Sequence, residues 1–372
     1  MERSYWETQS WFSGIDFTIV GSGLVGLFCA LELKTLHPKA NVLVIERGVL
    51  PSGASTKNAG FACYGSASEL LDDLKHHSEE EVQQLVAQRY QGLKTLRETL
   101  GDQVIGYEQR GGFEVFEETQ TELLEDCLQA LPRLNALLKP VFGRSVFKKT
   151  SNQQGFARVS SQLLLHMEEG QLHTGKMMQA LVQQCAQRGV RLLHGIELLS
   201  YDEDSSAVHL RTSEGDFKTN RLLIATNGFA RTLGITEVQP ARAQVLITKP
   251  LAQLPFRGTY HWDRGYYYFR DIDQRILLGG GRNLDFEGEE TDQMEVTQRI
   301  QQRLESLLHE VILPGTPFEI EQRWSGIMGV GAQKKPIIKC LSSRVYCGVR
   351  LGGMGVALGS RVGQELASLA TN

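Results

Sequence analysis

Residues 16–20 form a short apolar run that stops at Gly21-Ser22-Gly23-Leu24-Val25-Gly26, after which Leu27, Ala30, Leu31 and Leu33 recur at helical spacing up to His37 and Pro38. A second apolar run, residues 41–46, follows at once and ends on Glu46. Runs without polar alternation suit strands covered on both faces, so the order strand, turn, helix, strand predicts a βαβ unit of a parallel sheet. Residues 48–68 then break the pattern with Gly, Ala and Ser and no clear period. A stretch of that length usually faces a ligand rather than merely connecting two elements.

Helical spacing returns at 79–100, where Val82, Leu85, Val86, Leu93 and Leu96 make one stripe, while residues 103–116 alternate like a hairpin about Arg110-Gly111-Gly112. Residues 117–138 read as helix again, with Pro132 expected to kink or end it. Thr174 can cap a helix running to Gly189, followed by a strand at 190–195 and a hairpin at 198–212. The apolar run 221–226, closing on Asn227-Gly228, returns the chain to the first sheet. Segments 245–250, 265–270 and 275–280 read as strands of a second sheet, covered by a helix at 291–309 that turns Ile300, Leu304, Leu307 and Leu308 inward.

At 372 residues the chain is long enough for two domains sharing a cleft. Its 41% hydrophobic and 22% charged residues are ordinary for a globular protein, and a net charge of -4 supplies no basic excess for nucleic acid or an anionic membrane. A small molecule is the expected partner; the oligomeric state is left open. The six cysteines show no CxxC spacing, so neither a disulfide framework nor a metal site is expected. Residues 1–14 lack a basic region followed by an apolar run, and no stretch has the apolar length of a membrane span, which points to a cytoplasmic protein. The 38 glycines fall in clusters, as backbone shaped around a ligand requires.

The first cluster is a dinucleotide-binding fingerprint in its proper setting. Gly21 serves the tight turn, Gly23 the approach of a pyrophosphate, and Gly26 the contact of helix with strand; Ser22 and Leu24 lie within the same turn. The helix N-terminus faces the phosphates, and Glu46, twenty residues after Gly26, can accept the ribose hydroxyls. The second cluster, Gly53-Ala54-Ser55-Thr56-Lys57-Asn58-Ala59-Gly60-Phe61, has small residues and hydroxyls that can bring backbone N–H groups to the same cofactor.

Glu46-Arg47 followed by Gly-Ala-Ser-x-x-Asn-x-Gly resembles the D-amino-acid oxidase and glycine oxidase superfamily of FAD enzymes, including its sarcosine-oxidase-like and γ-glutamylputrescine-oxidase-like members. The resemblance extends over nearly the whole chain. Residues 222–228 are similar to the family's third nucleotide-domain strand, which adds Thr226, Asn227 and Gly228; Pro240-Ala241-Arg242-Ala243-Gln244 is similar to the entry of its substrate sheet. Residues 265–270 and 275–282 resemble its central hairpin, and Ser4-Tyr5-Trp6 a leader of some amine-oxidising members. The glycine-rich segment 348–359 resembles the one that passes the flavin ring, so Gly353, Met354, Gly355, Val356 and Ala357 are expected at the ring, where backbone N–H groups stabilise the charge of reduced flavin.

The fold implied is α/β: a Rossmann-like FAD-binding domain made of residues 1–103, 169–228 and 325–372, with a second α+β substrate domain, 104–168 and 229–324, on a mostly antiparallel sheet. The activity implied is oxidation of the C–N bond of an amine or N-substituted amino acid by hydride transfer to flavin N5, followed by imine hydrolysis and reoxidation by oxygen or another acceptor. Non-covalent FAD is expected, since no cysteine lies in the segment 324–336 through which some relatives attach it; Cys63 is the thiol expected nearest the ring.

Tyr266, Tyr268 and Arg270 would share one face of a strand. In glycine-oxidase-like relatives a tyrosine resembling Tyr266 and an arginine in the last glycine-rich segment hold the substrate carboxylate. Here Gly353 stands where that arginine would be, and Arg282 or Arg350 could replace it. His173 and His261 show no partner in the sequence and are assigned no role. Two rival readings stay open: an NAD(P)-dependent dehydrogenase, and a protein that binds flavin without turnover.

Overall fold

The βαβ unit lies at the centre of a six-stranded sheet, in a computed structural model that describes residues 3–371. The strand order is Ile337–Cys340, Val345–Val349, Arg221–Ile224, Phe17–Val20, Val42–Glu46, Arg191–His194. All neighbours are parallel except the first two. Every residue of Phe17–Val20, Val42–Glu46 and Val345–Val349 is buried, because both faces are covered. Ile19 and Val44 pack beneath the helices Leu24–Leu36 and Gly355–Thr371, whereas Val20, Leu43 and Ile45 pack against a three-stranded sheet that contributes Val208, Leu210 and Phe217.

The helix pair sits unusually close. A Cβ at Gly363 would stand 2.6 Å from the Val25 carbonyl oxygen and 2.8 Å from Cys29 N, and one at Gly359 2.8 Å from Leu24 Cβ. Glycine at these positions lets Gly355–Thr371 lie backbone to backbone on Leu24–Leu36, which aligns the N-terminal ends of both helices on one edge of the sheet.

The second sheet has eight strands in the order Ile320–Val330, Gln239–Thr248, Arg275–Gly280, Tyr267–Ile272, Thr259–Trp262, Gly112–Val115, Gln162–His166, Phe147–Ser151. It is antiparallel except where Gly112–Val115 meets Thr259–Trp262. Its core holds a stack of Phe113, Tyr260 and Phe269, with ring centroids 4.9 and 4.8 Å apart, and the inward stripe Ile300, Leu304, Leu307 and Leu308. Arg242 donates bidentately from Nε and Nη2 to Glu289, each residue nearly inaccessible, which fixes the segment 282–297 over this sheet.

Several local expectations change. Residues 103–116 do not form a hairpin: Asp102–Ile105 is a helical turn, and Gly112–Val115 takes its partners from residues far away in sequence. Alternation revealed the strand, but it carries no information on what pairs with it. The helix Thr121–Phe142 runs through both Pro132 and Pro140. Both prolines are exposed, so the carbonyls they deprive of a partner can meet water while Leu134, Leu137 and Leu138 hold the inner face. The strand expected at 265–270 begins at Tyr267, because Asp263, Arg264 and Gly265 all adopt left-handed backbone and make a turn. The helix expected at 291–309 is α-helical only over Gln298–Leu307, continuing as a π turn over Leu308–Ile312. The strand expected at 245–250 spans Gln239–Thr248. Residues 48–68 contain the turn of helix Ala54–Lys57 and the short strand Phe61–Ala62, and the leader folds as a helix, Tyr5–Trp11, with a Ser4/Glu7 capping box.

Gly363→Ala should destabilise the protein by about 2–3 kcal/mol, since the new methyl meets backbone rather than a movable side chain. Denaturant titration checks this; an unchanged midpoint would mean that the two helices can separate without cost.

Candidate active site

A cavity of about 740 Å³ opens at the carboxyl ends of the first sheet's central strands and reaches the face of the second sheet. Its volume lies within the roughly 300–1,000 Å³ of cofactor and ligand pockets, and its place is where open α/β sheets bind nucleotides. Gly21 lines it in a left-handed conformation, φ +103°, and a Cβ there would come within 2.9 Å of the Ala225 carbonyl oxygen. Gly23 precedes the helix Leu24–Leu36 and offers no side-chain cap, while Leu24 N–H donates to Ser55 Oγ at 2.9 Å. Glu46 is fixed by Ser22, whose N–H and hydroxyl donate to Oε2 at 3.1 and 3.0 Å, and by Gly48 N–H, which donates to Oε1 at 3.0 Å. Arg47 lies over the Phe229 ring at 4.0 Å.

The glycine-rich clusters meet here. Gly23, Ser55 and Gly355, the last more than 300 residues along the chain, line the same cavity, as do Asn58, Ala59, Phe61, Thr226, Asn227, Gly353, Met354, Val356 and Ala357. Asn227 ties two of the stretches together, its Oδ1 accepting from the N–H groups of Arg350 and Leu351 at 3.1 and 3.2 Å. Other residues expected at the cofactor shape the walls from behind. A Cβ on Gly26 would overlap the Gly21 carbonyl oxygen at 1.9 Å, one on Gly60 would stand 2.3 Å from Leu172 O, and one on Gly228 2.6 Å from Met328 O. Ser22 is buried against Glu46, and the Thr56 hydroxyl donates to Pro51 O.

On the opposite wall Tyr268 lies flat over Gly279, where a Cβ would be only 2.5 Å from its ring, and meets Phe61 edge to face at 5.6 Å. Tyr266 sits at the mouth beside Phe286. Arg282 lines the cavity half-buried, and its Nε is buried without a hydrogen-bond partner. Arg350 is elsewhere: its Nε donates to the Lys335 carbonyl and its side chain is not part of the wall. Tyr268 and Arg270 share a face of the strand Tyr267–Ile272, as expected, but Tyr266 lies in the turn before it and Arg270 does not line the cavity. Its guanidinium donates to the carbonyls of Ala59, Gly60 and Leu172, pinning the second glycine-rich stretch to the second sheet.

The sequence left His261 without a role because its partner, Glu169, is 92 residues away. The two are buried and paired at 2.9 Å, and His261 lines the cavity. Burial opposes the imidazolium, but the charge and hydrogen bond of Glu169 outweigh it and raise the His261 pKa; burial likewise opposes the Glu169 carboxylate, and His261 together with Tyr64 N–H holds its pKa low. Beside this pair the fully buried Glu114, which accepts from Ser68, is pushed up to about 7 by burial and the nearby Glu69. The Cys63 thiol, also at the cavity, is raised by burial and points at Met354 Sδ at 3.7 Å.

These walls suit a dinucleotide. The helix Leu24–Leu36 points its N-terminal end at the cavity, with Leu24 N–H on Ser55 Oγ and no side-chain cap from Gly23; Glu46 offers carboxylate oxygens, and the buried hydroxyl of Thr226, a residue of the cavity wall, has no partner within the protein. Fold and site together define a dinucleotide-binding α/β oxidoreductase. The family model for FAD dependent oxidoreductases, DAO, matches residues 16–369, and the chain belongs to that family, with FAD as its cofactor. It is similar to a probable oxidoreductase, OrdL, of Rhizobium meliloti (strain 1021), 24% identical over 371 residues, 95% of this chain and 82% of that protein. It is also similar to glycine oxidase of Geobacillus kaustophilus (strain HTA426), 24% identical over 71% of this chain and 69% of the relative. The solved structure of glycine oxidase from Geobacillus kaustophilus superposes with a TM-score of 0.75 at 20% identity, covering 96% of this chain and 94% of that one. L-proline dehydrogenase from P. horikoshii gives the same TM-score at 16% identity, covering 96% and 93%. Among the described residues no helix is long and apolar enough to cross a membrane.

The raised Glu114 pKa sets a pH dependence. Relative to an ordinary value of 4.5, a folded value of about 7 means that this group's contribution to stability is complete below about pH 4.5 and is lost as pH rises through 7. Glu114→Gln, which cannot ionise, should gain on the wild type between about pH 4.5 and 7, by up to about 3 kcal/mol in all, and hold that difference above pH 7. Chemical denaturation of both proteins from pH 5 to 8 gives the difference; parallel curves would show that Glu114 titrates normally.

Proposed function

We propose that the protein oxidises the C–N bond of a small amine or amino acid, with FAD bound non-covalently as the hydride acceptor. The single observation that carries this reading is the continuity of the cavity: one space joins Glu46 and the glycine turn to a chamber walled by Tyr268, His261 and Arg282. The reading divides the chain into an FAD-binding part, 1–103, 169–228 and 325–372, and a substrate part, 104–168 and 229–324. Sheet membership supports this division, with Ile320–Val330 crossing the boundary.

The residues take distinct parts. Glu46 would receive the ribose hydroxyls, with Ser52, whose contact to Oε1 is long at 3.4 Å, giving way. The N-terminal end of Leu24–Leu36, with Gly21 and Gly23, would hold the diphosphate, and the backbone of residues 353–357 would stabilise negative charge on the ring. Tyr268 and Phe61 exclude water from the chamber and confine the substrate beside the ring. Arg282 would supply the charged fork toward a substrate carboxylate, because it lines the chamber half-buried and pairs with no carboxylate among the described residues. Arg350, turned toward Lys335, is the weaker candidate for that role. FAD supplies the acceptor for the hydride; the protein supplies orientation, desolvation and charge. The names of the relatives, which include glycine oxidase and L-proline dehydrogenase, agree with a C–N bond as the target.

Anaerobic mixing of the yellow protein with a panel of amines, N-methylated amino acids, and D- and L-amino acids should bleach the flavin with one class. A colourless protein that binds nicotinamide nucleotide, or a flavin that none of them reduces, would favour one of the two rival readings. With a reducing amino acid in hand, Arg282→Ala should raise KM by about tenfold to a hundredfold, the worth of a charge-assisted hydrogen bond, and change kcat much less. Steady-state kinetics with that amino acid and its decarboxylated amine provide the check, the amine being little affected.

A further inference from the structure

The deepest charged group in the chamber wall is a pair, not a single residue. His261 on Thr259–Trp262 lines the cavity, whereas Glu169, directly behind it, has no exposure at all. Glu169 is fully engaged: Tyr64 and Gly65 N–H donate to Oε1 at 2.7 and 3.2 Å, and His261 Nε2 takes up Oε2. Space for this carboxylate comes from Gly112, where a Cβ would fall 1.9 Å from Glu169 Oε2. His261 Nδ1 has no hydrogen-bond partner among the described residues. Phe61 stands edge-on to the imidazole at 5.3 Å, and the Cys63 sulfur, next to Met354, lies within 4.8 Å of the pair's ligating atoms.

A ligand in this chamber therefore meets the histidine first and its counter-charge second. The titratable groups around the imidazole include Tyr268 on one neighbouring strand, its phenol kept protonated by burial, Glu114 on the other, Glu69 on the helix Ala67–Asp73, His166 on Gln162–His166 and Cys63. Burial keeps His166 neutral, and the Cys63 thiol stays protonated. Glu69, and Glu114 where it is ionised, reinforce a positive imidazole rather than compete with it.

We propose that the His261–Glu169 pair is an electrostatic device of this chain that stabilises the reduced, negatively charged form of FAD, and negative charge generally, in the chamber beside Phe61 and Cys63. A fixed dipole with its positive end toward the cavity acts strongly because the surroundings are desolvated and need no reorganisation. The proposal rests on FAD occupying this cavity and is independent of which amine, if any, is the substrate.

Sulfite, an anion that adds to oxidised flavins, and the flavin midpoint potential probe the pair without any amine. The main variant is the double substitution His261→Asn with Glu169→Gln, which leaves two neutral amides and no stranded buried charge. Loaded with FAD, it should bind sulfite about tenfold more weakly at pH 7, and its potential should fall by about 30 mV, the same factor for a two-electron couple. The single variant Glu169→Gln removes the anion that holds the imidazole charged, so its sulfite affinity should decline at lower pH than in the wild type. A double variant that retains FAD with wild-type sulfite affinity and potential overturns the proposal, as does a Glu169→Gln pH profile that coincides with the wild type. If no amine bleaches the flavin yet these shifts appear, the device stands and the assigned reaction does not.

Discussion

The backbone contact between Gly26 and the Gly21 carbonyl is the constraint on which the site depends. With 1.9 Å between an added Cβ and that oxygen, only glycine lets the helix Leu24–Leu36 start directly above the strand Phe17–Val20. The helix then starts at the cavity with Gly23 giving no side-chain cap, and the N–H groups beyond Leu24, which bonds Ser55, become a place for anionic oxygen. Gly359 and Gly363 extend the arrangement by bringing Gly355–Thr371 down against the same helix. A second N-terminus, separated by most of the chain, thereby reaches the same cavity.

Around this pair of helices, polar groups with few alternatives fix the remaining walls. Asn227 grips the backbone of Arg350 and Leu351, and Arg270 spends its guanidinium on three carbonyls of the glycine-rich stretch and its neighbour. Buried polar groups that are fully bonded hold a single geometry, since each broken bond would leave a desolvated group without a partner. Two buried groups of cavity-lining residues, Thr226 Oγ1 and Arg282 Nε, have no such bond within the protein.

The chamber wall carries charge on the second sheet rather than the first. His261 and Glu169 cost desolvation separately and recover it together, which explains why neither is found without the other in so apolar a setting. Glu114, one strand away, lacks a cationic partner of its own and takes up a proton near neutrality instead. Burial thus produces an ion pair in one place and a raised carboxyl pKa in the next, because the His261 ring bonds Glu169 and not Glu114, its cross-strand neighbour.

Local pattern determined much of this by itself. Apolar runs without alternation gave the central parallel strands, the spacing of Gly21, Gly23 and Gly26 before an apolar helix gave the nucleotide turn, and Glu46 followed at a strand end, because each depends on residues a few positions apart. The resemblance added the last glycine-rich segment and the family to which the chain belongs. What tertiary structure alone decided were pairings between distant residues: Gly112–Val115 against Thr259–Trp262, Arg350 turned toward Lys335, Arg270 as a clamp, and Glu169 behind His261. A side chain's direction and counter-charge arise from packing across the whole chain, and no period along the sequence encodes them.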